Sequence, residues 1–135
     1  GLELHRVEYA SRELAAGLEM LRDVHPDCVL AARHPTNIAV RDRLAGFALE
    51  HRLPLLGPSQ EFAGAGALLS YGPSVLGLWR QLAGLTARLL EGAAPGDIPV
   101  QQPIKFELVV NLKAARAIGL EVAPSILIRA DEVIE

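Results

Sequence analysis

Aromatic side chains are scarce, 4% of 135 residues with one Trp, two Tyr and three Phe, so the core must be built from Leu, Val, Ile and Ala. That aliphatic composition suits an α/β protein whose strands are covered on both faces. Cysteine is scarcer still: Cys28 stands alone, which excludes an internal disulfide. Its place in the apolar run Cys28-Val29-Leu30-Ala31-Ala32 predicts a buried structural thiol rather than a nucleophile. There is no excess of positive charge. Thirteen Lys and Arg face 16 Asp and Glu, giving a net charge of -3 and a pI near 5.8 without any basic run. Phosphate-driven binding to nucleic acid is therefore not expected. No apolar stretch approaches the ~20 residues that span a bilayer. Gly1-Leu2-Glu3 does not open like a signal peptide, so the chain is expected to start inside a mature region or a fragment. Its length allows one domain with a real core and is short for two.

Catalytic signatures are missing as well. His5, His25, His34 and His51 are scattered, without the second ligand at i+4 or the CxxC-like spacing that a metal needs, so neither a metal nor a cofactor is expected. No nucleophile elbow, Walker loop or Gly-x-Gly-x-x-Gly fingerprint occurs. Gly64-Ala65-Gly66 precedes a strand instead of opening a helix after one, which is the wrong context for phosphate. The one dense acidic cluster, Asp131-Glu132 with Glu135, reads as a solvated helix end rather than an acid/base pair in a cleft. No catalytic residue is nominated, and the chain is not expected to be an enzyme.

What is present is an alternation of short strands and amphipathic helices. Leu2, Leu4, Val7 and Tyr9 mark a first strand. Ser11 can cap a helix carrying Leu14, Leu18 and Leu21 on one face, and His25-Pro26 stops it. Cys28 to Ala32 is a continuous apolar strand, and Val29, Leu30 and Ala31 are expected to be fully buried. A helix from Ile38 to about His51, a strand Leu53 to Leu56 and a strand Ala67 to Tyr71 follow. Strands and helices in this order, joined by short connections, build a parallel sheet through right-handed crossovers.

The stretch Gly66-Ala67-Leu68-Leu69-Ser70-Tyr71-Gly72-Pro73 is the pivot, where a strand runs into a glycine-proline break. Ser74 can cap the helix beyond it, which runs to about Glu91 with Val75, Leu78, Leu82, Leu85 and Leu89 in one apolar seam and Gly92 as its stop. A proline-rich passage from Pro95 to Pro103 leads to a return strand, Phe106 to Val110. Asn111 can cap a short helix ended by Gly119, and Ser125 a last turn or two reaching Val133. A chain that leaves a strand through Tyr71-Gly72-Pro73, builds a helix and returns through prolines crosses between two bodies.

In open α/β sheets ligands bind outside the carboxyl ends of the strands. The loops expected there nominate Ser11, Arg33, His34, Thr36, Asn37, Ser59, Glu61 and Phe62 as ligand-binding residues on one rim, with Tyr71 near the hinge. Such a mixture of polar and aromatic groups suits a small polar or amphipathic solute.

Gly66 to Pro73, then Pro99-Val100-Gln101-Gln102-Pro103-Ile104-Lys105-Phe106-Glu107-Leu108-Val109-Val110-Asn111-Leu112-Lys113, and then Ala130-Asp131-Glu132-Val133-Ile134 resemble the carboxyl-terminal part of the ABC-transporter substrate-binding proteins of the tryptophan/tyrosine-permease type. The family usually has glycine where Ala67 stands and methionine where Leu69 stands. The resemblance implies a three-layer, mostly parallel α/β sheet of the periplasmic-binding-protein type I fold, present here incompletely as one lobe plus a crossing helix. Residues 1–73 would form most of the carboxyl-terminal ligand-binding lobe without its first strand, 74–103 the crossing helix and linker that belong with the other lobe, and 104–135 the return strand and helices.

That resemblance implies the solute-binding component of an ABC importer, which takes a small molecule, an amino acid or similar amphipathic solute, in an interlobe cleft. Its partner would be a membrane permease, and its place periplasmic or extracytoplasmic, with a lipoprotein anchor as one means of attachment. The same architecture also serves as the ligand-sensing domain of a regulator or sensor kinase, and flavodoxin-like enzymes share the layering. The leucine seam of the 74–91 helix adds an expectation of its own. Where no second lobe covers it, a homodimer through that helix or an exchange of the 74–135 segment between chains is expected.

Overall fold

The structure, a computed structural model, describes residues 1–135 apart from the side chain of Ser11. Five strands form one sheet in chain order: β1 (Val29–Leu30), β2 (Leu55–Gly57), β3 (Leu69–Pro73), β4 (Phe106–Asn111) and β5 (Glu132–Ile134). The β1–β2, β2–β3 and β4–β5 pairs are parallel and β3–β4 is antiparallel, so the sheet is mostly parallel, as expected. Helices α1 (Leu14–Val24), α2 (Pro35–Ala39), α3 (Arg41–Glu50) and α4 (Gln60–Ala65) make up the connections of the first half. The second half adds α5 (Val75–Leu90), α6 (Leu112–Ile118) and α7 (Pro124–Leu127).

The core forms where α1, α3 and α4 meet one face of the sheet: Leu14, Leu44, Ala45, Ala48 and Phe62 close over Ala31, Leu55 and Ala67. Alanine on the α3 face lets that helix approach closely. On the strands, Gly57 does the same for α4, since a Cβ there would collide with the Phe62 side chain. Asn111 fastens the far side of this layer. Its Oδ1 accepts the Ala114 amide at 2.9 Å, capping α6 as expected, while its Nδ2 donates to the Ala63 carbonyl of α4 at 2.8 Å.

The other face carries a lateral row with one residue from each strand, Leu30, Leu56, Leu69, Val110 and Val133, because residues paired across strands share a face. Val110 is buried, Leu56 and Leu69 are half-buried, and Leu30 is 69% exposed. The expectation that Val29, Leu30 and Ala31 are all buried is thus wrong. Ala31 is buried and Val29 half-buried, while Leu30 points to the face that α1, α3 and α4 leave uncovered. Cys28 is exposed rather than buried, because β1 is an edge strand of only two residues.

Other boundaries also move. Residues 1–10 form no strand, and Leu2 and Leu4 are fully exposed, since the only neighbour of β1 is β2 and no ladder receives them. The helix expected from Ile38 is divided at Val40 into α2 and α3. Ser59 to Phe62, expected as a loop, runs into α4. The expected helical end at Val133 is instead β5. There Asp131 receives the Leu108 amide on its carboxylate and donates its own amide to the Leu108 carbonyl, both at 2.8 Å, so Asp131 is a register clamp rather than part of a solvated helix end. The expected capping by Ser11 falls outside the described residues.

Helix α5 begins as expected, with Ser74 Oγ accepting the Gly77 amide at 3.2 Å, and it contains no buried residue. Trp79 is 63% exposed, and Leu76, Leu82 and Leu90 are exposed beside it. The helix is tethered near its middle by Gln81, which donates to Gln101 Oε1 at 2.7 Å.

Two outcomes are expected. Phe62→Ala should lower unfolding free energy by about 3–5 kcal/mol, whereas Leu30→Ala should change it by about 0.5 kcal/mol or less; urea denaturation measures both, and equal losses would mean that Leu30 is packed. Trp79 fluorescence of the monomer should be quenched by acrylamide nearly as efficiently as free indole in water; a Trp79 shielded in a species that sediments as a monomer would mean that α5 folds back onto its own lobe, and one shielded only in a dimer that a second copy covers it.

Candidate ligand-binding rim

Parallel strands that enter a sheet side by side deliver their following loops to the same end, and the loops after β1, β2 and β3 do meet there. Arg33, just past β1, donates from Nη1 to the Pro58 carbonyl of the next loop at 3.4 Å. Gly72 of β3 lies directly under that same carbonyl, and a Cβ at this position would strike it. Glycine is required here by contact rather than by dihedral, and it lets the Pro58-Ser59 segment rest on the strand. Asn37 ties in the amino-terminal segment. Its Nδ2 donates to the Ala32 carbonyl at 2.8 Å and its Oδ1 accepts the Tyr9 hydroxyl at 2.6 Å. Burial holds the Tyr9 phenol above its ordinary pKa, so it remains a donor.

His34 sets the start of α2, its Nδ1 accepting the Thr36 amide at 3.2 Å, with Pro35 filling the first helical position. Arg33 and His34 therefore form the loop that leads into Thr36 and Asn37 at the start of α2, and Arg33 joins it to Pro58 of the next loop. Ser59 is only 7% exposed, and its hydroxyl oxygen is shut off from solvent. That hydroxyl lies close enough to Glu61 to be the largest influence holding its carboxyl below the usual 4.5. The Glu61 backbone amide adds to this, burial opposes it, and the Arg41 and Arg33 charges contribute least.

Two expected members do not join the rim. Phe62 is fully buried in the core, because one residue pair into α4 its ring turns inward onto Gly57. Its scarcity was the available cue: in a chain with three Phe, one set just past an apolar strand is first a core residue. Tyr71 alternates with Gly72 and so stands on the opposite face of β3, 61% exposed and stacked on Phe106 with ring centroids 5.6 Å apart. Ser11 cannot be placed, since its side chain is outside the described residues.

A cavity of about 140 Å³ lies between the β2–α4 loop and the start of α5, and of the rim residues Ser59 and Glu61 line it. Ser59, Gln60 and Glu61 form one wall, Val75 and Leu76 another, and Glu107 closes the third side with Gly72 and Pro73. Glu107 was not anticipated. It arrives because β4 returns antiparallel and pairs Glu107 with Gly72. Its carboxyl is held below the usual 4.5 by the Ser74 hydroxyl first and then by Lys105, whose Nζ lies 3.0 Å from Oε1. A second groove of about 400 Å³ runs between α5 and residues 103–105, with Leu78, Pro103 and Ile104 below Arg80 and Lys105. Among the described residues no group of three His, Cys, Asp or Glu could hold a metal ion. Among the described residues no helix is long and apolar enough to cross a membrane.

Residues 25–134 match the family model described as ABC transporter substrate binding protein. Among solved structures, a conserved domain protein from Vibrio cholerae aligns with TM-score 0.84 at 24% identity over 91% of this chain and 41% of its own. An ABC domain from Streptococcus pneumonia, in complex with L-Trp, aligns with TM-score 0.85 at 21% identity over 93% of this chain and 42% of its own. The ligand-free, open structure of a substrate binding protein with adhesive properties from Clostridium difficile aligns with TM-score 0.67 at 18% identity over 97% and 43%. The chain thus spans about two fifths of the length of each. No curated protein matches the sequence significantly.

An acid response follows from the two carboxylates. Both are depressed in the folded state, so their stabilisation is complete above about pH 5 and is lost as the pH falls through the ordinary 4.5 and below. Glu61→Gln with Glu107→Gln should flatten the fall of the urea midpoint between pH 5 and pH 3; an unchanged slope would place the acid sensitivity elsewhere.

Proposed function

The chain belongs to the ABC transporter substrate binding protein family, and from that membership we propose that it forms most of the carboxyl-terminal lobe of a noncatalytic solute-binding protein that serves an ABC importer. The match over residues 25–134 carries this reading. In it, residues 1–73 provide the lobe, 74–103 the crossing helix and linker, and 104–135 the return strand and helices. The solute is a small molecule, an amino acid or similar amphipathic compound, held between this rim and a second lobe. Delivery is to a membrane permease, and the setting is extracytoplasmic.

Three observations support it. Arg33, after β1, bonds the Pro58 carbonyl after β2, which joins two neighbouring loops at the end of the sheet where such folds bind ligands. The 140 Å³ cavity is too small to enclose a whole amphipathic solute, which suits half of a cleft. Helix α5 leaves the lobe with its apolar seam unpacked, as a helix shared with another body would. Two-lobed closure around a solute then needs the second body. A homodimer through α5 is the other way to cover the seam.

Calorimetric titration of the intact protein with the standard amino acids, L-Trp first, tests this function. Saturable binding of at least one is expected, weakened about tenfold by Arg33→Ala through loss of a charge-assisted contact. Absence of saturable binding across amino acids and comparable amphipathic solutes would sink the reading.

A further inference from the structure

Asn37 stands among the residues expected to meet the solute, yet both ends of its amide are engaged within the protein. Its Nδ2 donates to the Ala32 carbonyl at 2.8 Å, and its Oδ1 accepts the Tyr9 hydroxyl at 2.6 Å across 28 residues of chain. Ala32 is where the chain leaves β1, so the first bond closes the stretch from Arg33 to Thr36 at its base. The second bond ties that closed loop to a fixed body. The Tyr9 ring packs against the core and lies on Gly17 of α1, where a Cβ would come within 2.9 Å of it, and α1 is itself anchored by the buried Leu14. Residues 1–8 have no comparable hold, since no ladder receives them and Leu2 and Leu4 are exposed. Tyr9 is thus the point at which the amino-terminal segment is fixed, and the point it is fixed to is the β1–α2 loop.

Arg33 needs such support. It is exposed, and its one bond to the protein, to the Pro58 carbonyl, is long at 3.4 Å and therefore weak. Tyr9 and Asn37 are half-buried, which strengthens the bond between them relative to one in open water. We propose that Tyr9 and Asn37 are positioning residues of the solute site: they hold the β1–α2 loop so that the Arg33 guanidinium stands where the solute arrives, and they do not contact the solute themselves. This rests on the solute-binding reading above and deepens it, moving Asn37 from the contacts to their support and adding Tyr9 from a segment outside the rim.

The test uses the intact protein and its Tyr9→Phe variant, which keeps the ring on Gly17 and removes only the hydroxyl. Amide hydrogen exchange reads the loop without any ligand. The Ile38 and Val40 amides, bonded to the His34 and Thr36 carbonyls, should exchange about fivefold faster in Tyr9→Phe, while the Leu68 and Asn111 amides of the sheet keep their rates. Calorimetric titration with L-tryptophan and the other standard amino acids then reads the site. For a solute that binds, Tyr9→Phe should weaken affinity about fivefold in the parent protein and less than about twofold in the Arg33→Ala background, where the loop has nothing left to position. Unchanged exchange at Ile38 and Val40 overturns the proposal, and so does equal weakening in both backgrounds, which would make Tyr9 act independently of Arg33. Absence of binding by every amino acid and comparable amphipathic solute removes the solute-binding reading and the positioning role with it, while the exchange rates still decide whether the Tyr9–Asn37 bond fixes the loop.

Discussion

Crossovers of one hand between strands laid down in order send every connecting helix to the same face of the sheet, and most of this structure follows from that constraint. With β1, β2 and β3 side by side in chain order, α3 and α4 have no choice of face, and α1 joins them over Leu55, Ala31 and Ala67. The side chains of one strand parity become core. Those of the other parity form the row from Leu30 to Val133, exposed at both ends and most of all at β1. An apolar run thus ends up half inside and half out, although nothing in its composition distinguishes Val29 from Leu30.

The same topology makes the rim. Parallel neighbours end together, so loops distant in sequence arrive at one place without long connections. Two glycines convert proximity into contact: Gly57 admits Phe62 beneath the loop, and Gly72 admits the Pro58 carbonyl above it. Removing either would lift the β2–α4 loop and with it Ser59 and Glu61. Past Pro73 the chain enters α5 through its cap Ser74, and the antiparallel return of β4 sets Glu107 opposite Gly72. Acidic character in the cavity is therefore shared between a crossover loop and a returning strand some fifty residues later in the chain.

Helix α5 shows the other side of modular packing. Its capping is locally complete, with Ser74 satisfying the Gly77 amide, and its seam is regular, yet no residue of it is buried. Local rules are sufficient to make a helix. Burial of its apolar face requires a surface of matching shape, and none is supplied to it here.

The sequence by itself determined the features that depend on neighbours a few residues away. The α/β alternation and the caps at Ser74 and Asn111 were legible because caps and periodicity are local, whereas the Gly72-Pro73 pair, expected to break the strand, is held inside β3 by its ladder to β4. The family block from Pro99 to Lys113 was legible as a specific string. Tertiary structure alone decided whether an apolar residue found a partner. Phe62 went to the core because Gly57 left it room, Tyr71 went to the far face by strand parity, and Leu2 to Tyr9 stayed unpaired because a strand exists only with a neighbouring ladder. Asp131-Glu132 became a strand entrance because the Leu108 amide and carbonyl were waiting for it. Hydrophobicity specifies that a side chain gains by leaving water, and only the packed chain specifies whether there is anywhere for it to go.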